Sequence, residues 1–412
     1  MLNVIAVVAS GIFAKLAGFI NQLVSVWLIA SAAGQQGLEA IFLAIAFVGW
    51  FNLTLLGAQT AFPNLLIESK KDASAHRQLL IAGGYISLFG AIACILCSAI
   101  LLYIIPQSSS IHSTPVIWAV AANATLILFS LSEQYFQAIN KTYQFNLLSA
   151  IGSAISLFIT WFAAYHRSDL SIYVIAYFAS FVIPVTFATA IALLHFKGEG
   201  LFHLTLVRPA ISRLIRTGNF SLGFIANISL KLSAPLLILD LRNYGSEIPF
   251  LGVSLRLSTV IISGASVVAP IIIFHSGTAR STQNIGALKR WRTNTILFAS
   301  GGAVFVFFAI FIGGRSLLSI WTRGLVSPNS LEIFSLALFA ALWTLEYIIY
   351  QFSATATNQV RGVWWLFWAE SAFGLLLMWQ FTSMYGGAVG SLLGLSIPMI
   401  MSIMILLRIG NV

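Results

Sequence analysis

GLEAIFL, residues 37–43, and GSEIPFL, residues 245–251, share the pattern Gly-x-Glu-x-x-Phe-Leu. The second copy begins 208 residues after the first in a chain of 412, close to half its length. Four matches in seven carry little weight in so narrow a composition. What decides the fold is where the two copies fall, and that requires the chain to be laid out.

The chain is 59% hydrophobic and 8% charged, with a mean hydropathy of +0.95. Soluble domains carry about a quarter charged residues, so this much apolar surface has no place around a water-soluble core. Apolar runs of about 20 residues recur along the whole chain, the mark of membrane-spanning helices. Barrel strands would alternate in short segments instead. The runs predict twelve spans, at 4–30, 38–67, 79–105, 115–135, 145–164, 170–196, 217–240, 248–275, 293–313, 329–351, 362–381 and 387–407. The fold class is therefore all-α and polytopic.

Lys and Arg set the orientation. With the N-terminus in the cytoplasm, the inner segments hold fourteen: Lys70, Lys71, Arg77, Lys141, Lys197, Arg208, Arg213, Arg216, Arg280, Lys289, Arg290, Arg292, Arg361 and Arg408. The outer segments hold four: Arg167, Arg242, Arg315 and Arg323. Both termini are expected in the cytoplasm. The net charge of +10 is then largely topological and calls for no nucleic-acid partner. Ala30-Ser31-Ala32 imitates a cleavage site, but the preceding apolar run is too long for a signal peptide and lacks a basic start. It is read as the first span, with no processing.

In this layout both copies of the pattern sit at an outer loop and open a span, the second and the eighth. Gly18-Phe19-Ile20 and Gly223-Phe224-Ile225 match in the first and seventh spans, followed closely by Asn21 and Asn227. Pro63 and Pro270 match near the cytoplasmic ends of the second and eighth, and basic loops follow both. The chain thus reads as a six-helix unit used twice: an N-terminal lobe 1–196, a cytoplasmic linker 197–216, and a C-terminal lobe 217–412. Six is even, so the halves share one orientation, as in transporters built from parallel repeats. In the linker, Pro209, Arg213 and Arg216 mark a short interfacial helix.

Three bases fall inside spans: Lys15, Lys231 and Arg256. At 1.5 Å per residue each lies roughly 12–20 Å from the nearer span end. Facing lipid, each would cost about 2.5–3.5 kcal/mol, so each faces protein or a wet cavity. Their neighbours at helical spacing favour the cavity. Gly11, Lys15, Gly18, Gln22 and Ser25 share a face of the first span. Gly223, Asn227 and Lys231 share a face of the seventh; Gly252, Arg256, Thr259, Ser263 and Ser266 share one of the eighth. The second span offers Gly49, Asn52, Gln59 and Thr60. These four spans are expected to line one central cavity. The competing reading pairs the bases with buried acids, Glu346 and Glu370. Two acids against three bases leave a basic excess, which suits an anionic, polar ligand such as a sugar phosphate. Glu346 and Glu370 are either proton or ion relays or counter-charges for the bases; the sequence leaves both open.

Other features are structural. Cys94 and Cys97 lie inside the third span as small packed residues rather than a redox pair. The six His form no ligand set, and no metal or cofactor is expected. Gly386, Gly390 and Gly394 in the last span mark close helix packing within a monomer.

The stretches LLGAQTAFPNLLIESKKDASAHRQLL (55–80), SEQYFQAINKTYQFN (132–146) and GSEIPFLGVSLRLSTVIISGASVVAPII (245–272) resemble the polysaccharide-exporter branch of the multidrug/oligosaccharidyl-lipid/polysaccharide flippase superfamily, specifically a bacterial O-antigen flippase. The resemblance implies two six-helix lobes in a V, an inner-membrane location and alternating access. It implies a polyprenyl-pyrophosphate-linked oligosaccharide as substrate, with membrane lipids and the O-antigen polymerase and chain-length machinery as partners. By position Lys15 and Arg256 match the family's basic cavity residues best, with Lys231 after them. Its usual base in the second span is missing, leaving Asn52 and Gln59 there. The substrate-binding candidates are thus Lys15, Gln22, Asn52, Gln59, Asn227, Lys231, Arg256 and Thr259.

Rival readings are weaker. A cation-coupled multidrug exporter of the same fold would favour acids where these spans carry bases. A flippase for the cell-wall precursor often has two further spans. An O-antigen polymerase needs a large outer loop, and the longest here is about 15 residues; a metal-dependent glycosyltransferase needs outer-loop acids, and the first outer loop has only Glu39; no nucleophile motif occurs.

Overall fold

Hydrocarbon offers backbone amides no partner, so an apolar run that crosses it must close its hydrogen bonds within itself. The computed structural model accordingly turns nearly every such run into a helix. It describes residues 2–69, 72–105, 109–139, 141–194, 204–266, 282–357 and 360–409, with 268, 272, 275, 276 and 279. Lys70, Lys71, Lys197, Pro270 and Arg280 lie outside the described residues. Ten described stretches are long and apolar enough to cross a membrane, the first of them, Ala9–Glu68, holding two expected spans. Val360–Tyr385, at the eleventh expected span, is a 26-residue helix outside that set.

The chain divides into two compact units, Met1–Ile225 and Ala226–Val412. The first holds α1 (Leu2–Gly49), α2 (Ala58–Glu68), α3 (Ala73–Ile104), α4 (Thr114–Phe129), α5 (Leu131–Ala138), α6 (Thr142–Tyr165) and α7 (Leu170–Leu194). The division falls inside α8 (Leu204–Leu241). The second unit continues with α9 (Ile248–Ala265), α10 (Ile285–Trp321), α11 (Ser330–Thr357), α12 (Val360–Tyr385) and α13 (Gly387–Ile409).

Two departures from the expected spans bear on the site. The first two spans form one element, α1, in which two helices meet at Gly34 (φ 63°, ψ −155°); the expected turn between them thus shrinks to a single glycine in a conformation that few other residues adopt. The second span, expected as one helix over 38–67, is broken by a 3₁₀ turn at Trp50–Leu55 and by positive φ at Leu56 and Gly57. Asn52 and Gln59 therefore stand on either side of a break rather than on one face. The break lets the backbone of Gly57 touch that of α8. A Cβ on Gly57 would lie 2.1 Å from the Gly218 carbonyl oxygen, and one on Gly218 would lie 2.6 Å from Gly57. Thr60 donates to Ser221 at 2.8 Å nearby. These contacts tie the first half of α8 to the first unit, which is why that unit runs to Ile225. Pro209, Arg213 and Arg216 belong to this same long helix.

Within the first unit α1 and α6 run parallel and are joined by a polar ladder. Asn146 donates to Ser10 at 3.1 Å, Asn21 to Ser156 at 3.1 Å, and Ser25 reaches Thr160 at 3.5 Å. In the second unit Asn227, the counterpart of Asn21 in the sequence pattern, accepts from Ser371 on α12 at 3.5 Å. Paired polar groups at such seams satisfy each other where lipid cannot. α12 and α13 approach closely because Gly390 and Gly394 face backbone: added Cβ atoms would meet Phe381 O at 2.3 Å and Met378 N at 2.6 Å. Gly386 instead makes the turn between them, with φ 91°. Glu247, the acid of the GSEIPFL copy, accepts from Ala388 N at 2.6 Å. Its carboxylate thereby caps the start of α13, where the helix dipole favours an anion.

Replacing Gly218 with Val should lower stability by about 1–3 kcal/mol through overpacking, seen as a lower unfolding midpoint in detergent. An unchanged midpoint would show that the Gly57–Gly218 contact does not hold α8.

Candidate functional site

α8 places Asn227 and Lys231 one turn apart on one face. Lys231 is 1% exposed. Its ammonium bonds Glu346 of α11 and contacts Glu370 of α12 at 2.6 Å. Trp343, one turn before Glu346, lies with its ring centroid 6.0 Å from Nζ, within cation–π range. Ser402 of α13 donates to the other oxygen of Glu370. Glu346 and Glu370 are 3% and 5% exposed. Four helices of the second unit thus enclose one base and two acids.

This corrects the expected place of Lys231 and Asn227 on a cavity wall. Both are sealed inside the second unit, and their polar atoms are engaged there. It also changes the charge balance. Both buried acids go to one base, which leaves Lys15 and Arg256 without a share in either. If all three groups of the cluster were ionised, the cluster would carry one net negative charge in a dry interior, an expensive arrangement. It is neutral when one carboxyl holds a proton. Glu346 Oε1 is buried without a hydrogen bond, so the carboxyl pair is incompletely satisfied as well.

The first unit presents a different surface. Lys15 is exposed on α1, with Gly11, Gly18 and Gln22 half-buried along the same stripe. A Cβ on Gly18 would meet nothing within 4 Å, so open space lies beside it. One turn further on, Gln22 Oε1 is buried without a hydrogen-bond partner. A buried amide oxygen of that kind is rare and calls for an explanation. Asn52 and Gln59 are half-buried around the break in the second span, apart from this stripe. In the second unit Arg256 and Thr259 are half-buried on α9; the Thr259 hydroxyl donates to Leu255 O at 2.8 Å.

Sequence reading found the base and both acids, but not which base took the acids. It missed Ser371 and Ser402, since serines on apolar spans look like packing residues. Their spacing held no signal, because their partners lie on other helices. Among the described residues no group of three His, Cys, Asp or Glu side chains could hold a metal ion.

No family model and no curated protein sequence matches the chain. Solved structures do. An inward-facing multidrug resistance MATE family transporter of the MOP superfamily aligns over 96% of this chain and 94% of its own, at 12% identity and a TM-score of 0.75. Lipid II flippase MurJ, inward closed, aligns over 98% and 87%, at 18% identity and a TM-score of 0.73. A MOP superfamily transporter from Pyrococcus furiosus, described as having a binding pocket of reverse polarity, aligns over 99% and 94%, at 12% identity and a TM-score of 0.68. The chain has their fold. At these identities the likeness concerns architecture: an all-helical, multi-pass fold shared by MATE transporters and MurJ.

Lys231→Met should destabilise the protein by about 3–5 kcal/mol, because it strands two buried carboxyls. Adding Glu370→Gln and Glu346→Gln should recover most of that loss in a thermal unfolding series. A single variant as stable as the parent would show that the acids are not held by Lys231.

Proposed function

We propose that the chain is a flippase. It carries a polyprenyl-pyrophosphate-linked oligosaccharide, of the O-antigen repeat-unit class, from the cytoplasmic to the outer leaflet of a bacterial inner membrane by alternating access. The observation that carries this reading is the α1 stripe. Lys15 is exposed beside the open space at Gly18, and one turn past Gly18 the buried amide oxygen of Gln22 has no hydrogen-bond partner. An ammonium suits a phosphate oxygen, and a carbonyl oxygen suits a sugar hydroxyl. A cationic drug would be repelled by Lys15. In the second unit Arg256 and Thr259 are proposed as ligands for an anionic group, and in the first Asn52 and Gln59 as ligands for sugars. That a solved neighbour is by name a lipid II flippase supports a lipid-linked substrate class.

The cluster of Lys231, Glu346 and Glu370 is assigned to coupling. Its neutral form needs one proton, and loading or losing that proton changes the net charge that the second unit must bury. A change of one charge in a dry interior is large enough to favour a different packing of α8 against α11 and α12. Asn227 and Lys231 then serve the transport cycle by positioning the acids rather than by touching substrate.

The test is depletion of the protein in its host, followed by location of lipid-linked oligosaccharide. Complete units should build up on the cytoplasmic leaflet. Absence of build-up, together with new drug sensitivity, would instead favour a multidrug exporter, the activity named for the MATE neighbour. Lys15→Ala and Arg256→Ala should each reduce export roughly 10- to 100-fold, the worth of a charge-assisted hydrogen bond, at unchanged protein level. Normal export by both would remove the head-group assignment. Glu346→Gln should make export insensitive to the proton gradient; full gradient dependence in that variant would return Glu346 to a counter-charge.

A further inference from the structure

The first unit contains a cavity of about 380 Å³ that the transport reading does not use. Three helical stripes and one ring line it. α3 contributes Leu80, Gly84 and Leu88; α4 and α5 contribute Leu128 and Tyr135; α7 contributes Leu193; Phe62 of α2 supplies the ring. Each stripe follows the spacing of one helix face, so three apolar faces converge without filling the space between them. The size lies within the range of small-molecule sites, about 300–1,000 Å³. Two of its hydroxyls are turned toward backbone. Ser132 donates to Val185 O at 3.1 Å and Thr189 to the same carbonyl at 2.8 Å. The wall therefore presents mainly methyl groups and ring carbons, and it suits a hydrocarbon chain.

One residue gives the occupant a charge. Arg77 precedes Leu80, Ile81, Gly84 and Leu88 at 3, 4, 7 and 11 residues, and so continues the cavity stripe of α3 by one turn toward the basic loop. Its side chain is half-buried, and among the described residues it pairs with no carboxylate. The acid of α5, Glu133, is bonded by Gln137 at 3.3 Å. An apolar slot whose α3 stripe continues, one turn on, to an arginine matches a lipid with a hydrocarbon chain and a phosphate head. Basic pockets between spanning helices on the cytoplasmic side bind anionic head groups in this way.

We infer that this cavity is a binding site for an anionic phospholipid of the leaflet on the basic-loop side, with one acyl chain between α3, α5 and α7 and its phosphate at Arg77. The resident is a bilayer lipid and not the transported molecule: the site lies wholly within one unit and shares no residue with the α1 stripe. Such a lipid fills the space that the three helices leave, so its loss loosens the basic-loop end of the first unit.

Gly84 makes the site testable. It is exposed, and a Cβ there would meet nothing within 4 Å, so Gly84→Leu plugs the cavity without a clash at the new Cβ. The full chain in detergent is given phosphatidylglycerol or phosphatidylethanolamine at equal concentration, and retained lipid is read by native mass spectrometry. The parent should retain phosphatidylglycerol in preference. Gly84→Leu should lose retention of both lipids. Arg77→Gln should lower phosphatidylglycerol retention roughly fivefold, the contribution of one base near a membrane surface, and leave phosphatidylethanolamine unchanged. Equal retention by the parent and a folded Gly84→Leu would overturn the cavity as the site. A head-group preference that survives Arg77→Gln would overturn the role of Arg77, and that variant, half-buried at a helix start, keeps the test standing if Gly84→Leu fails to fold. Displacement of phosphatidylglycerol by an equal concentration of isoprenyl phosphate would overturn the assignment to a bilayer lipid. None of these results depends on whether the chain exports an oligosaccharide.

Discussion

One ammonium group organises the second unit. Lys231 lies deep in α8, where neither water nor lipid can solvate it, and its charge requires partners from other helices. Glu346 of α11 and Glu370 of α12 meet it, and Ser402 of α13 completes the shell of Glu370. Four helices are thus held at distances set by hydrogen bonds rather than by apolar contact, which in a bilayer offers little preference for protein over lipid. The same cluster cannot be neutral with all its groups ionised. The three side chains that tie these helices together are thus the same ones whose net charge depends on a single proton.

The first unit is assembled by neutral means. Asn146, Asn21 and Ser25 bridge α1 and α6 by hydrogen bonds, and the paired glycines Gly57 and Gly218 bring α8 against the broken second span. Neutral seams leave no charge that must be matched. Lys15 stands exposed on α1, and Gln22 Oε1 on the same stripe is buried without a hydrogen bond. The second unit encloses Lys231, whereas the first leaves Lys15 exposed.

The arrangement also shows how membrane helices can leave useful space. α3, α5 and α7 converge on apolar faces and still leave about 380 Å³ between them. In water such a void would cost stability through lost contacts; in a bilayer a lipid chain can enter and restore them. Arg77 at the end of the α3 stripe gives that chain a preferred head group.

Composition alone determined that the chain is a helical membrane protein, because hydrocarbon forbids unsatisfied backbone and only long apolar runs meet that demand. The spacing of Lys15, Gly18 and Gln22 on one face, and the presence of exactly two deep acids, Glu346 and Glu370, were equally legible, since helical period and residue type are local properties. The partnering of those acids was not. Glu346 and Glu370 stand 115 and 139 residues beyond Lys231, and nothing in the local pattern of α8 distinguishes Lys231 from Arg256. The break in the second span was hidden for the same reason: Asn52 to Gln59 reads as helix until the backbone of Gly218 arrives against Gly57. Burial, ion pairing and close approach arise from contacts between helices distant in the chain, and in this protein those contacts decided which polar residues are enclosed and which remain available to a ligand.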